Sequence, residues 1–272
     1  MFYTKDEMPE LPDIENFVQY FKYTSLHKKV EAVKCGDEDL IKNTTSSGLG
    51  RALKGKQFIN AYRRGKFLIT EIKDSDYKLV FHFGMTGYFR YGKPENADPD
   101  ENKHAYLIIS LRNGYELRWI NIRKLGEIYL VKNIKEVPLI KNMGPEPLKI
   151  SKKEFFDILK DHEIKNIKSF LMDQKDIAGI GNEYSDEILF RAHIDPHRKI
   201  KSLSKKERKK LYNIIQDTLK RAIDAGPPYG KMNSSWLVAH RKDMVCPKNK
   251  KHKLVKEKIA GRSAIFCPEH QS

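Results

Sequence analysis

The stretch that decides the fold is Asp173–Phe190, with the sequence DQKDIAGIGNEYSDEILF. Apolar residues recur at helical spacing on both sides of its centre: Ile164, Ile167, Phe170 and Leu171 before it, and Tyr184, Ile188 and Leu189 after it. Gly179 and Gly181 fall between the two helical segments, where glycine permits a positive φ and a close approach of another backbone. Asn182 falls at the N-cap of the second helix. The pattern predicts two helices joined by a glycine turn, with amides at the start of the second helix that bind an anion.

The composition indicates which anion this is. The 272 residues include 52 Lys and Arg against 36 Asp and Glu, a formal net charge of +16. An acidic partner follows, and nucleic acid, through its phosphates, is favoured over a membrane surface. No apolar run approaches the roughly 20 residues of a membrane span, and the polar N-terminus shows no signal peptide. Three cysteines argue against a secreted disulfide scaffold. We therefore expect a cytoplasmic, nucleoid-associated protein without a membrane partner.

The first half of the chain has the pattern of a β-domain. A helix is predicted to open at Pro12, and its apolar face contains Ile14, Phe17, Val18 and Phe21. Short β-rich runs separated by turn signals follow, and this spacing is typical of a β-sandwich or barrel. The predicted strands are residues 28–33, 57–62, 67–72, 78–83, 105–111, 115–120 and 127–131.

The second half is predicted to be helical. Ser151 and Ser204 are each followed by a glutamate three residues later, which is the pattern of a capping box. The sequence thus predicts an α+β multidomain protein. Its parts are a β-sandwich domain at 9–135, a Pro/Gly-rich linker at 136–150, a helical domain at 151–230 and a terminal β-hairpin at 234–272.

The string from Met172 to Glu187 resembles the helix–two-turn–helix signature of the formamidopyrimidine-DNA glycosylase / endonuclease VIII family. Taken alone, the string also fits an ordinary helical hairpin. However, Pro9-Glu-Leu-Pro resembles the mature N-terminus of the same family, and further motifs follow in the family's order as far as His270. The resemblance implies a base-excision repair DNA glycosylase with abasic-site lyase activity. It also implies a double-stranded DNA partner with oxidised or abasic lesions, and we expect a monomer.

The chemistry of an N-terminal proline explains this motif. Its secondary amine titrates near the pKa of about 8 of terminal amines, so part of it is unprotonated at neutral pH. Such an amine attacks the deoxyribose C1′ and displaces the base, and the resulting Schiff base permits β,δ-elimination. The resemblance implies that Pro9 is the nucleophile, that Glu10 carries the proton for sugar opening and that Lys66 assists elimination. With residues 1–8 attached, the Pro9 nitrogen is a tertiary amide, so we expect translation to start at Met8 and Met8 to be removed.

The resemblance assigns contacts with DNA to His82, Met85, Arg123, Leu125, Asn182 and Arg262. An enzyme that acts at C1′ must first extrude the nucleotide, at a cost of a few kcal/mol in unstacking. Met85 would fill the gap, Arg123 would face the orphaned base and Leu125 would wedge into the stack, which offsets that cost. The other three would bind phosphate. Asn121 stands where the family commonly has aspartate, which brings the hydrogen bonds of that position into question.

The C-terminal region raises the question of a metal. The family ends in a four-cysteine zinc hairpin, whereas this chain has Cys246-x5-His252 and Cys267-x2-His270. These four side chains offer the ligands of a tetrahedral structural zinc site, and we expect one zinc ion as the sole cofactor. The alternative is a hairpin without zinc, held by apolar packing. Arg262 would lie at the tip of the hairpin in either case.

Several alternatives remain open from the sequence. The basic surface also fits a non-catalytic binder of damaged DNA, in which the N-terminal extension blocks Pro9, or a binder of structured RNA. The Lys-rich run at 199–210 is interpreted as a solvated face. The chain is short between the long helix and Cys246, which weakens the case for 8-oxoguanine. Formamidopyrimidines, oxidised pyrimidines and bare abasic sites remain as substrates.

Overall fold

A computed structural model of the protein describes residues 8–226, 234–259 and 261–272. The chain divides into two compact units. Unit 1 contains Asp13–Asn142 together with the segment that ends at Pro9. Unit 2 contains Glu10–Pro12 and Met143–Ser272. The proposed nucleophile and the glutamate that follows it therefore belong to different units.

Unit 1 is a β-sandwich. One sheet has the strand order β1-β7-β8-β6 and the other has the order β2-β9-β5-β4-β3. The strands are β1 (Val30–Cys35), β2 (Ile41–Lys42), β3 (Phe58–Arg64), β4 (Phe67–Ile72), β5 (Lys78–His82), β6 (Gly87–Gly92), β7 (Ala105–Leu111), β8 (Glu116–Asn121) and β9 (Glu127–Val131). The predicted sandwich is confirmed. The short edge strand β2 and strand β6 were missed.

Helices accompany the sandwich. They are α1 (Leu11–Ser25), α2 (Ser46–Leu53), α3 (Pro99–Asn102) and α4 (Pro138–Lys141). The predicted apolar face of α1 is buried, since Ile14, Phe17, Val18 and Phe21 all join the sandwich core. Helix α2 was not predicted, because its polar first turn and two glycines conceal the buried Leu49 and Leu53. Residues 138–141, which were predicted to be linker, form the short helix α4.

The described residues of unit 2 form four α-helices and a hairpin. The helices are α5 (Lys152–Asp161), α6 (Ile167–Met172), α7 (Asn182–Ala192) and α8 (Lys205–Ala225), and the hairpin strands are β10 (Val255–Ile259) and β11 (Arg262–Phe266). Ser204 and Glu207 form a complete capping box, as predicted. Ile164 was wrongly included in the apolar face, because it lies before α6 and is exposed. Among the described residues, no helix is both long and apolar enough to cross a bilayer.

Candidate active site and DNA-contact residues

The carboxylate of Glu10 is held at the first turn of α7. Its Oε2 accepts hydrogen bonds from the backbone amides of Gly181 at 2.7 Å and Tyr184 at 3.3 Å. Its Oε1 accepts one from the amide of Glu183 at 2.9 Å. A helix N-terminus stabilises a negative charge through these amides and the helix dipole. The predicted anion site at this turn exists. The predicted anion was wrong, because these three amides bind the protein's own Glu10 carboxylate and not a DNA phosphate.

The glycine turn before α7 lets the segment of Glu10 approach. Leu11 donates its backbone N–H to the carbonyl of Gly179 at 2.9 Å. Gly179 has a φ of +85°, and a Cβ placed there would lie 2.8 Å from the Cβ of Leu11. A side chain at this position would therefore be both strained and in steric conflict. The sequence predicted such a close approach, but it did not identify which segment approaches.

Asn182 differs from its predicted local structure. The N-cap of α7 is Gly181, which has no side chain to cap the helix, and Asn182 is the first helical residue. The predicted N-cap was wrong because Glu10 satisfies the amides that an N-cap side chain would normally bind. The Oδ1 atom of Asn182 is buried and has no hydrogen-bond partner among the described residues. It remains a candidate for contact with a ligand.

A buried ionic network, missed in the sequence, joins α6, α7 and the hairpin. Lys168 and Asp186 are 1% and 0% exposed, and their Nζ and Oδ1 atoms lie 2.5 Å apart. The other oxygen of Asp186 accepts from Arg241 at 3.0 Å and from the amide of Ile265 in β11 at 3.1 Å. A buried pair of this kind is costly to break, since it leaves an uncompensated charge. The one signal in the sequence was a lysine within the apolar helix α6.

In unit 1, Lys66 and His82 lie beside each other on the five-stranded sheet. Lys66 occupies the two-residue turn between β3 and β4, where Gly65 has a φ of +54° and Arg64 pairs with Phe67. Its Nζ lies 3.8 Å from the Sδ of Met8, the residue before Pro9. His82 pairs with Phe67 in the adjacent strand, and their ring centroids are 4.8 Å apart. This arrangement brings two of the predicted site residues together.

The charge state of His82 follows from its surroundings. Burial is the main cause that lowers its pKa to about 4, and the positive charge of Lys66 lowers it further. The carboxylate of Glu127 opposes this by favouring the protonated ring. In this structure His82 is therefore neutral at neutral pH, when no phosphate is bound.

Two adjoining loops of unit 1 carry the predicted intercalating residues. Asn121 is fully buried, and it donates from Nδ2 to the carbonyl of Phe83 at 3.0 Å and accepts at Oδ1 from the amide of Leu125 at 3.1 Å. The amide of Arg123 donates to Oγ1 of Thr86 at 3.0 Å. An asparagine supplies both a donor and an acceptor here, whereas an ionised aspartate only accepts. The departure at Asn121 thus preserves a well-connected loop.

The same loops leave their tips exposed. Leu125 is 49% exposed, Arg123 is exposed and Met85 is partly exposed. The loops approach so closely that a Cβ on Gly84 would lie 2.4 Å from the backbone carbon of Leu125. A large exposed apolar side chain on a loop held rigid by such close packing is suited to insertion between bases. The structure brings Met85, Arg123 and Leu125 to one end of the sandwich.

Three of the four proposed metal ligands lie together in unit 2. The ligand atoms of Cys246, His252 and Cys267 are all within 4.8 Å of one another. His270 lies outside this group, and its ring packs at a tilt against those of Phe190 and His193, at centroid distances of 4.4 and 4.1 Å. Its Nε2 is nevertheless buried and has no hydrogen-bond partner among the described residues. Two buried thiols and an imidazole form a donor set that suits a borderline-soft metal ion.

Arg262 begins strand β11 at the end of the hairpin. It pairs with Ile259 across the hairpin, and its side chain is exposed. Gly261, beside it, has a φ of +78°, which a tight hairpin connection requires. The structure therefore places Arg262 at the tip, as predicted, within the same unit as the three-ligand cluster.

Comparisons with known proteins agree with this architecture. The model of the formamidopyrimidine-DNA glycosylase N-terminal domain matches residues 8–128. That of the formamidopyrimidine-DNA glycosylase H2TH domain matches residues 143–232. The formamidopyrimidine-DNA glycosylase of Bacillus subtilis is 34% identical over 284 residues, which covers 97% of this chain and 99% of that protein. The enzyme of that name from Thermus thermophilus is 30% identical over 281 residues, covering 97% and 98%.

Solved structures show the same relationship in three dimensions. A complex between the Lactococcus lactis Fpg and DNA containing an abasic site matches with a TM-score of 0.83 and 28% sequence identity, covering 97% of this chain and 99% of that one. A complex of the wild-type Lactococcus lactis Fpg with DNA containing N7-benzyl-Fapy-dG also matches with a TM-score of 0.83 and 28% identity. On its sequence and its fold, this chain belongs to the formamidopyrimidine-DNA glycosylase family.

Proposed function

We propose that this protein is a base-excision repair DNA glycosylase that also cleaves abasic sites. The observation that carries the proposal is the pair Pro9-Glu10, because three amides at the start of α7 fix Glu10, the residue that follows the candidate nucleophile in the chain. The relatives in Bacillus and Thermus carry the name of this activity, and Lactococcus Fpg binds abasic and Fapy-containing DNA. We propose that the protein acts in the cytoplasm, in association with the nucleoid.

In the proposed reaction, the amine of Pro9 attacks C1′ of an extruded nucleotide. A bond from nitrogen to C1′ forms as the glycosidic bond breaks, the nitrogen loses its proton and the departing base takes one up. The C1′–O4′ bond then breaks with a proton passing to O4′, and the opened sugar is left as an iminium at C1′. Loss of a proton from C2′ then breaks the bond from C3′ to its phosphate, and a second elimination releases the 5′ phosphate. Glu10 carries the proton for ring opening, and Lys66 assists elimination. This is the order of events that the family chemistry implies for these residues.

Contacts with DNA are assigned to both units as part of the proposal. His82 of unit 1, with Asn182 and Arg262 of unit 2, would bind phosphates. Met85, Arg123 and Leu125 would replace the extruded nucleotide. We propose residues 9–135 as the catalytic domain, with 151–230 and 234–272 as DNA-binding regions joined to it by 136–150. The short connection that weakens the case for 8-oxoguanine includes residues 227–233, which lie outside the described residues.

The amine chemistry requires that Pro9 be the first residue of the working enzyme. We propose that translation starts at Met8 and that Met8 is removed, and the start of the family match at residue 8 supports this. Borohydride trapping on abasic-site DNA tests the proposal with the 272-residue chain and a version that starts at Met8. We expect a covalent adduct with the short version alone. Tight binding without an adduct in either version would instead indicate the non-catalytic DNA binder.

A structural zinc ion is the second part of the proposal. Ligand atoms of a tetrahedral zinc ion lie roughly 3.5–3.8 Å apart. The ligand atoms of Cys246, His252 and Cys267 are all within 4.8 Å of one another, so they need to approach by no more than about 1.3 Å. We propose His270 as the fourth ligand, since its buried Nε2 lacks a hydrogen-bond partner among the described residues. The ion would stabilise the hairpin that carries Arg262. Metal analysis of the purified protein should give one zinc ion per chain, and His270→Ala should weaken its retention.

A further inference from the structure

A carboxylate lies beside the predicted phosphate-binding histidine, and the proposed reaction does not use it. Glu127 is the first residue of β9 and pairs directly with His82 at the end of the antiparallel strand β5. Side chains of directly opposed residues point to the same face of a sheet, with their Cβ atoms about 4.5–5.5 Å apart. On the other side of His82, strand β4 contributes Phe67. The imidazole thus lies between a ring and a carboxylate.

Strand β9 also fixes the position of this carboxylate. The hydroxyl of Tyr129, two residues further along the same strand, donates a hydrogen bond to Oε2 of Glu127. Tyr129 is buried, and both burial and this hydrogen bond raise its pKa, so it remains a donor. A side chain held in this way cannot simply turn towards solvent when an anion approaches.

The charges around His82 within unit 1 come from two directions. Lys66, in the turn between β3 and β4, disfavours the imidazolium, and Glu127 in β9 favours it. A carboxylate close to a phosphate site repels the phosphate and weakens its binding. The repulsion is overcome only when a protonated group lies between the two anions. An imidazole beside a carboxylate can meet this requirement, since its protonated ring is stabilised by the neighbouring negative charge while a ring N–H donates to the phosphate. The described residues show no direct hydrogen bond between His82 and Glu127, so the effect is electrostatic across the paired strands.

We propose that Glu127 is a positioning residue for His82. Its carboxylate stabilises the imidazolium that forms when a DNA phosphate docks, so that His82 takes up a proton on binding and donates a charged hydrogen bond to the phosphate. The inference rests on the proposed function, because His82 must contact DNA. The inference adds that DNA binding is coupled to proton uptake by His82, and that this coupling depends on the carboxylate of Glu127.

The test measures binding to a duplex with a tetrahydrofuran abasic analogue, which is not cleaved, between pH 5.5 and 8.5. The full chain is used, because binding does not require the Pro9 amine. Affinity of the wild type should fall as pH rises, and Glu127→Gln should bind five- to tenfold more weakly at pH 7. If Glu127 acted only by repelling the phosphate, Glu127→Gln would instead bind the duplex more tightly at every pH. Equal or tighter binding would overturn the inference.

Two further variants make the result specific. In a His82→Gln background, Glu127→Gln should cause no further loss of affinity, because the residue through which it acts is gone. The matched control is Glu71→Gln, which removes a carboxylate from the same sheet where it pairs with Lys78 at 3.3 Å. It should leave the pH profile unchanged. A loss of affinity in the His82→Gln background as large as in the wild type would show that Glu127 does not act through His82.

Titration of His82 in the wild-type protein tests the inference without relying on a variant that folds poorly. The NMR signal of the His82 ring in the wild-type complex should titrate above its ordinary pKa of about 6.5. A ring that stays neutral at pH 6 in the complex would overturn the inference whatever the variants show. Failure of the proposed function is distinguishable, because the wild type would then bind the lesion duplex no more tightly than an undamaged one.

Discussion

The hydrogen bonds of Glu10 make its replacement a test of stability as well as of catalysis. In Glu10→Gln, the remaining oxygen can keep the positions of Oε2, which accepts from Gly181 and Tyr184. The new amide group then faces the N–H of Glu183, which loses its acceptor at 2.9 Å. The perturbation is therefore one lost hydrogen bond to a charged group, plus the loss of a negative charge at the start of α7.

These two losses give the expected magnitude. A hydrogen bond to a charged group contributes about 1.5–3 kcal/mol, and a charge at a helix terminus contributes about 0.3–1 kcal/mol. We expect Glu10→Gln to lower the free energy of unfolding of unit 2 by about 2–4 kcal/mol. The contact to Tyr184 at 3.3 Å is long, so its loss would add little.

Urea unfolding of the variant and the wild type measures the effect. Amide hydrogen exchange locates it, since the N–H of Glu183 should lose protection more than amides in the centre of α7. Glu31→Gln is the control, because Glu31 is exposed on β1 and surface changes of this kind stay within about 0.5 kcal/mol. If Glu10→Gln unfolds like this control and Glu183 keeps its protection, the structural role assigned to Glu10 is refuted.

Three other predictions concern different parts of the molecule. Gly84→Ala should weaken binding to an abasic-analogue duplex at least tenfold, since its Cβ would meet the backbone of Leu125 at 2.4 Å. The control Gly114→Ala, with a φ of +80° and no atom within 4 Å of the added Cβ, should not weaken binding. Equal affinities of the two variants would contradict the tight packing of the loops. Burial raises the pKa of Glu187 to about 7, so its stabilising contribution is present below pH 4.5 and is lost as pH rises through 7. Glu187→Gln should accordingly gain up to about 3 kcal/mol at pH 8 and little at pH 4.5 in urea unfolding, and a gain that does not depend on pH would exclude this cause. Chelation of the metal should lower the stability of the hairpin and the affinity for DNA, and an unchanged melting curve after verified metal loss would show that the hairpin is held by apolar packing alone.

The sequence by itself determined the local elements and the identity of the family. The β-rich runs of residues 67–72, 105–111 and 127–131 became strands at the predicted bounds, because β-branched and aromatic residues between turn signals are typical of strands. Ser204 and Glu207 formed their capping box because that motif is satisfied within a few residues. Gly179 and Gly181 predicted a close approach of another backbone segment. These features show in the sequence because each depends on the conformational preference and spacing of residues close together in the chain, even where the partner is distant.

Only the tertiary structure decided what meets across long separations. Glu10 and Glu183 lie 173 residues apart, and nothing in their spacing indicates that one carboxylate takes the place of an N-cap. The burial of Lys168 against Asp186 and the pairing of His82 with Glu127 are similar cases. A charged side chain in the sequence is ordinarily assigned to the surface, since burial of a charge is favourable only with a partner that the fold supplies. The fold brings such partners together by packing whole helices and strands, and the spacing of residues along the chain does not reveal which ones meet.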